Sequence, residues 1–209
     1  MRLTAKHLFL LKTVIHIVAM APIVYLVLLV LDNAAGGDPV QFIIHYTGMG
    51  ALNTLAALLM VSPLARKFKQ GLLIQTRRLL GLYVFAYASL HIAAFVSLDL
   101  LFEWSLFLQE LVKRPYIVIG MIGYLILIAL SVTSLKSIKR RMGKRWQQLH
   151  NLVYLLAILT PIHFYWSVKS EVIEPGIYIV LFSILLLLRV RSTGRLSQFL
   201  SRFKLRPNE

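Results

Sequence analysis

The stretch LLGLYVFAYASLHIAAFVSL, from Leu79 to Leu98, runs for 20 residues without a charged side chain and carries one histidine, His91. At 1.5 Å of rise per residue, about 20 apolar residues in a helix cross the roughly 30 Å of hydrocarbon in a bilayer. A second stretch, QQLHNLVYLLAILTPIHFYW from Gln147 to Trp166, reads the same way, with His150 near one end and His163 near the other. An imidazole in lipid is costly unless it is paired or binds a metal, so histidines placed there mark function. Three of them on two segments that can pack together suggest axial ligands for haem iron.

Working outward, four more apolar stretches of similar kind occur, from about Thr13 to Leu31, His45 to Pro63, Tyr116 to Leu135 and Gly176 to Leu188. The chain has 209 residues, 58% hydrophobic and 15% charged, with a mean hydropathy of +0.75. Soluble domains are typically about 45–50% apolar and about 25% charged. The expected fold is therefore all-α: a polytopic membrane helix bundle with six transmembrane helices, residues 1–209 forming one membrane domain. The first stretch is longer than the roughly 7–15 apolar residues of a cleaved signal peptide and is expected to be a retained span.

A net charge of +15 would suggest a nucleic-acid partner in a soluble protein, but its placement explains it otherwise. Of the 23 basic residues, 20 lie before the first span, in the second and fourth connections (Arg66 to Arg78 and Lys136 to Arg145), or after the last span. Seven of the eight acids fall in the alternate connections. The positive-inside rule then puts both termini in the cytoplasm. The basic segment from Arg189 to Arg206 is expected to touch anionic lipid and not nucleic acid. The outer connection from about Asp99 to Pro115 sets Trp104, Leu106, Phe107, Leu108 and Leu111 between acids, which suits either a helix lying in the interface or an ordinary loop with a few buried apolar side chains. Cysteine is absent, which removes c-type haem attachment, iron–sulfur clusters, disulfides and thiol chemistry together. Any haem is held non-covalently.

Depth sorts the histidines. Counted from the inner boundary, His91 lies roughly 18 Å in and His163 roughly 24 Å in, so both belong to the outer half. His150 lies only about 5 Å in and could serve an inner level. His16, at about the same inner depth, is its candidate partner, or is instead hydrogen-bonded to a carbonyl or water. The pair Arg77 and Arg78 at the inner mouth of the third span suits haem propionates, or simply sets topology. His150 and His163 fall roughly 140° apart on an ideal helix, and a kink at Pro161 is expected to turn His163 toward the bundle. His45 and His7 read as interfacial.

The run QTRRLLGL from Gln75 to Leu82 with Leu90-His91, the run GKRWQQLHNLVY from Gly143 to Tyr154, and Pro161-Ile162-His163 with Trp166 to Lys169 resemble the MsrQ family, formerly YedZ. The likeness covers nearly the whole chain. It implies a b-type haem subunit of the bacterial inner membrane, related to the ferric reductase and NADPH oxidase transmembrane domains and also reported to carry FMN. Such a subunit passes electrons to MsrP, a periplasmic molybdopterin enzyme that repairs oxidised methionines. By resemblance the haem-ligand histidines are His91, His150 and His163, with one or two haems. NADPH oxidases place two histidines on each ligand helix, whereas the third span here has only His91, which leaves a second bis-histidine haem in doubt.

Two other readings compete with an electron-transfer subunit: a small transporter whose histidines relay protons, and a plain membrane anchor. No acidic residue falls inside any expected span, which counts against the first. No G-x-G-x-x-G accompanies a strand–turn–helix unit, so a quinol or a separate cytoplasmic flavin reductase is the expected electron donor. The charge pattern makes a direct prediction. An alkaline phosphatase reporter fused after Gly37 is expected to be active, and one fused after Gln70 inactive; the reverse pattern would invert the orientation.

Overall fold

The computed structural model describes residues 4–168 and 172–192. Lys169 and the basic segment from Arg195 to Arg206, expected to lie on lipid, fall outside the described residues. Nine α-helices follow in order: α1 (Ala5–Leu31), α2 (Pro39–Lys67), α3 (Arg77–Ala94), α4 (Trp104–Lys113), α5 (Pro115–Val132), α6 (Lys136–Met142), α7 (Lys144–His150), α8 (Val153–Ser167) and α9 (Ile173–Ser192). Among the described residues there is no strand. Four helical runs are long and apolar enough to cross a membrane: α1, α2, the run 71–99 that contains α3, and α5. The fifth and sixth apolar stretches form α8, only 15 residues long, and α9, of 20 residues.

Local chemistry sets the helix ends. The Asp38 carboxylate accepts from the Gln41 amide at 3.0 Å and Pro39 takes the first position of α2, where its missing N–H costs nothing. Helices α1 and α2 both close with a six-to-one backbone bond, Ala34 N to Leu29 O and Gln70 N to Ala65 O, each at 2.8 Å. Asn33 (φ 53°) and Lys69 (φ 54°) supply the left-handed residue that this closure needs. After His91, α3 widens into a π-helical turn over Phe95–Asp99, with Leu100 N bonded to Phe95 O. Such turns absorb one extra residue and often sit beside functional positions. The outer connection does form a helix, α4, whose Trp104, Leu108 and Val112 are exposed, as an interfacial helix requires.

The expected single helix over Gln147–Trp166 is two. Helix α7 ends at His150, and Asn151 and Leu152 make a tight turn with short i→i+3 bonds, Leu152 N to Leu149 O at 2.9 Å and Tyr154 N to Asn151 O at 3.0 Å. His150 and His163 therefore lie on two separate helices, with this turn between them. Pro161 lies buried inside α8 and does not end it.

Helices α2 and α3 pack together most extensively, as do α5 and α8; α3 lies against α5, and α2 against α8 and α9. These four helices, α2, α3, α5 and α8, make an inner bundle, with α1 against α2 and α3 and with α9 packed on α8 and α2 and adding Phe182 and Leu185 to the core. Its core is Leu52, Leu55, Leu58, Val61, Leu80, Val84, Leu156, Phe164, Phe182 and Leu185. Tyr87 crosses over Gly50, where an added Cβ would collide with the ring, and its hydroxyl donates to Ala19 O of α1 at 2.8 Å. Tyr178 of α9 donates to Asn53 Oδ1 of α2 at 2.6 Å. Leu156 is 1% exposed at the centre of the core, while Leu187 is 65% exposed on the outer face of α9. Leu156→Ala is expected to lower stability by about 2–5 kcal/mol, read as a fall in the thermal midpoint in detergent, with Leu187→Ala nearly unchanged.

Candidate functional site

The end of the inner bundle at which α2 and α5 begin holds the site. His91 sits near the end of α3 and Ile44 near the start of α2; the His91 Nδ1 lies 2.8 Å from the Ile44 carbonyl. His163 near the end of α8 faces the start of α5 in the same way, with Nδ1 2.7 Å from the Tyr116 carbonyl. A carbonyl oxygen can only accept, so in each ring Nδ1 carries the hydrogen and donates. In a neutral imidazole this leaves the lone pair on Nε2, the tautomer that metal-binding histidines adopt when their other nitrogen is anchored.

The two rings come together. Their centroids are 6.3 Å apart and their planes cross at 89°. Both line a cavity of about 830 Å³. Apolar and aromatic side chains make most of its wall, among them Phe95, Leu127, Leu156 and Phe164, and a few polar groups stand at its outer end, including His45, Asp99, Arg114 and Glu174. Arg114 pairs with Glu110 at 2.5 Å and donates to the Tyr116 hydroxyl at 3.3 Å. The hydrogen bond to Tyr116, followed by the Glu110 and Asp99 carboxylates, holds its pKa above the ordinary arginine value. On the bundle wall, Phe85 and Tyr124 stack at 5.9 Å, and the Tyr124 hydroxyl lies 3.1 Å from Ser89 Oγ.

The donor set narrows what could bind. Among the described residues no group of three or more His, Cys, Asp or Glu side chains could hold a bare metal ion. Two opposed imidazoles suit an iron that brings four equatorial nitrogens of its own, as haem does. The cavity is within the usual range of about 300–1,000 Å³ for cofactor sites. The residues present fit the group.

The remaining sequence candidates are placed elsewhere. His150 lies at the inner end, where its Nε2 is 3.1 Å from Thr133 Oγ1, and its ring stacks on Trp146 at 4.0 Å. Thr133 spends its own proton on Ala129 O at 2.6 Å, so it accepts from His150. Trp146 donates to Thr133 O at 2.9 Å and carries the Lys139 ammonium 4.1 Å above its ring. His16 is held by the Tyr83 hydroxyl at 2.6 Å and is not brought against His150. Arg77 hydrogen-bonds Tyr154, and Arg78 is exposed. His45 is exposed, with its ring 5.8 Å from that of Phe164, and His7 closes the cap of α1 with Thr4. Sequence reasoning missed the carbonyls of Ile44 and Tyr116, which leave no mark on side-chain patterns, and Arg114, which it counted only as a loop charge.

This arrangement defines a class: a membrane helix bundle whose inner four helices enclose an apolar cavity closed by two facing, backbone-anchored imidazoles. Residues 47–161 match the family described as "Ferric reductase like transmembrane component". The chain is also 47% identical over 192 residues to the protein-methionine-sulfoxide reductase heme-binding subunit MsrQ of Salmonella arizonae, covering 91% of this chain and 96% of that one. The chain belongs to the MsrQ group of the ferric reductase-like transmembrane family.

Thr133 is the structural partner of His150. Thr133→Val leaves an imidazole N–H without its acceptor and is expected to cost about 1–3 kcal/mol, with a change in Trp146 fluorescence, while Thr133→Ser, which keeps the hydroxyl, is expected to resemble the unsubstituted chain.

Proposed function

We propose that this protein is the membrane electron-transfer subunit of a methionine sulfoxide reductase system, with one b-type haem between His91 and His163. The observation that carries the reading is the pair of imidazoles 6.3 Å apart in an apolar cavity, each fixed by a backbone carbonyl so that Nε2 is the coordinating nitrogen. The name of the Salmonella arizonae relative, a heme-binding subunit, supports it. A haem bound there supplies a one-electron couple that changes oxidation state without a free coordination position for substrate.

The chain's own residues then have defined work. Ile44 and Tyr116 orient the two rings, and Phe95, Leu127, Leu156 and Phe164 keep water from the cavity. Arg114 at the outer end is the cation placed to meet a propionate, a role assigned from sequence to Arg77 and Arg78 for an inner haem. With six spans and both termini in the cytoplasm, as the charge pattern along the sequence suggests, this end would lie at the periplasmic face, where the acceptor would be a periplasmic molybdopterin methionine sulfoxide reductase, MsrP. The donor, a quinol or a cytoplasmic flavin reductase, would meet the inner end around Arg77, Lys139, Trp146 and His150, whose cationic and aromatic groups also suit the FMN that the family resemblance implies. His150 has no second imidazole facing it among the described residues, which favours one bis-histidine haem over two.

The visible spectrum tests this. The purified chain is expected to show a Soret band and sharp reduced α and β bands, lost in His91→Ala and in His163→Ala and kept in His150→Ala. A colourless protein would favour a transporter or an anchor, and equal loss in all three variants would move the inner histidine into a second haem site.

A further inference from the structure

The anchoring of the two imidazoles is the same device built twice. In both cases the accepting carbonyl lies 47 positions before the histidine. In both cases a glycine follows that carbonyl by four positions: Gly48 after Ile44, and Gly120 after Tyr116. The spacing has a physical reason. In an α-helix the Cα–Cβ bond leans toward the N-terminus, so the side chain at i+4 covers the carbonyl at i. Only where that side chain is missing can a ring from a neighbouring helix reach the carbonyl from the side.

The coordinates show how little room there is. A Cβ at Gly120 would lie 2.7 Å from Cε1 and 2.9 Å from Nδ1 of His163. At Gly48 it would lie 3.1 Å from Nδ1 and 3.2 Å from Cε1 of His91. An imidazole is rigid, and these rings are fixed at Cα by their own helix and at Nδ1 by the carbonyl. A ring so held cannot yield without turning off its hydrogen bond. Gly50 is as crowded, but by Tyr87 and not by an imidazole, whereas a Cβ at Gly81 would find only Leu58 Cδ2 at 4.0 Å, and one at Gly123 only Leu156 Cδ2 at 3.5 Å.

We propose that Gly48 and Gly120 are the positioning residues of the imidazole pair, each opening one helix so that the facing histidine lies on its backbone with Nδ1–H on the carbonyl and Nε2 toward the cavity. This rests on the haem reading above and extends it, since neither glycine touches the iron. Their effect passes through ring orientation and through the basicity that an Nδ1–H···O=C bond lends to Nε2.

The test compares Gly48→Ala and Gly120→Ala with Gly81→Ala in the full-length membrane protein. Haemin binding to the apoprotein is expected to weaken about 10-fold or more in the first two and to stay unchanged in Gly81→Ala. In whatever haem the two variants retain, the midpoint potential is expected to rise, because a less basic imidazole stabilises ferric iron less. The low-spin ferric EPR signal is expected to shift away from that of crossed ligand planes. A purely structural defect would lower yield and leave the spectrum of the bound fraction alone. If Gly120→Ala fails to fold, Gly48→Ala, with the milder approach, decides the matter. Unchanged potential and EPR signal in Gly48→Ala, with haem lost in His91→Ala and His163→Ala, overturns this inference alone. An unsubstituted chain that binds no haem overturns the reading beneath it, and this inference with it.

Discussion

Two hydrogen bonds, His91 to Ile44 and His163 to Tyr116, set the conditions under which the rest of the structure makes sense. A polar N–H buried among apolar helices costs several kcal/mol in hydrocarbon unless it finds an acceptor. Backbone carbonyls in a helix are already engaged, but each has a second lone pair that can accept. Using that lone pair satisfies Nδ1–H without introducing another polar side chain into the bundle. It also ties the orientation of each ring to the backbone of a neighbouring helix, which is far stiffer than any side chain.

The consequence is that helix packing and ligand geometry are one problem. The most extensive contacts in the molecule are between α2 and α3 and between α5 and α8. Those are the same pairs that the two hydrogen bonds join, near the end of one helix and the start of the other. The core residues Leu55, Val84 and Leu156 also line the cavity, and with Phe182 they hold the pairs in register. Any slip of α3 along α2 would move His91 off its carbonyl, so the packing that forms the cavity wall also defends the hydrogen bond.

Much of this was legible in the residues. The apolar runs gave helices, four of them long and apolar enough to cross a membrane, because a hydrophobic stretch of that length satisfies its backbone in lipid as a helix. Depth counting put His91 and His163 near one level, and the rings meet. What it could not give was the break after His150, since Asn151 and Leu152 carry no proline or glycine to announce a turn. Pro161 lies inside α8, where a proline's lost bond is tolerated in a packed membrane helix. Arg114 was passed over because a single cation among the acids of a connection gives no sign of its partners, and only the fold sets it at the cavity beside Tyr116.

The two ends of the bundle are chemically unlike, and this follows from where charge can be placed. At the end where α2 and α5 begin, the imidazoles sit among apolar groups with each Nδ1–H bonded to a carbonyl, which leaves the lone pair on Nε2. At the inner end His150 is already engaged by Thr133, stacked on Trp146, and close to the cations of Lys139 and Arg77. Cations there repel a metal and attract anions, whether a phosphate or a carboxylate. The cations from Lys136 to Arg145 lie on the short helices α6 and α7 and none of them lines the cavity, so the charge at one end of the bundle is kept apart from the apolar site at the other.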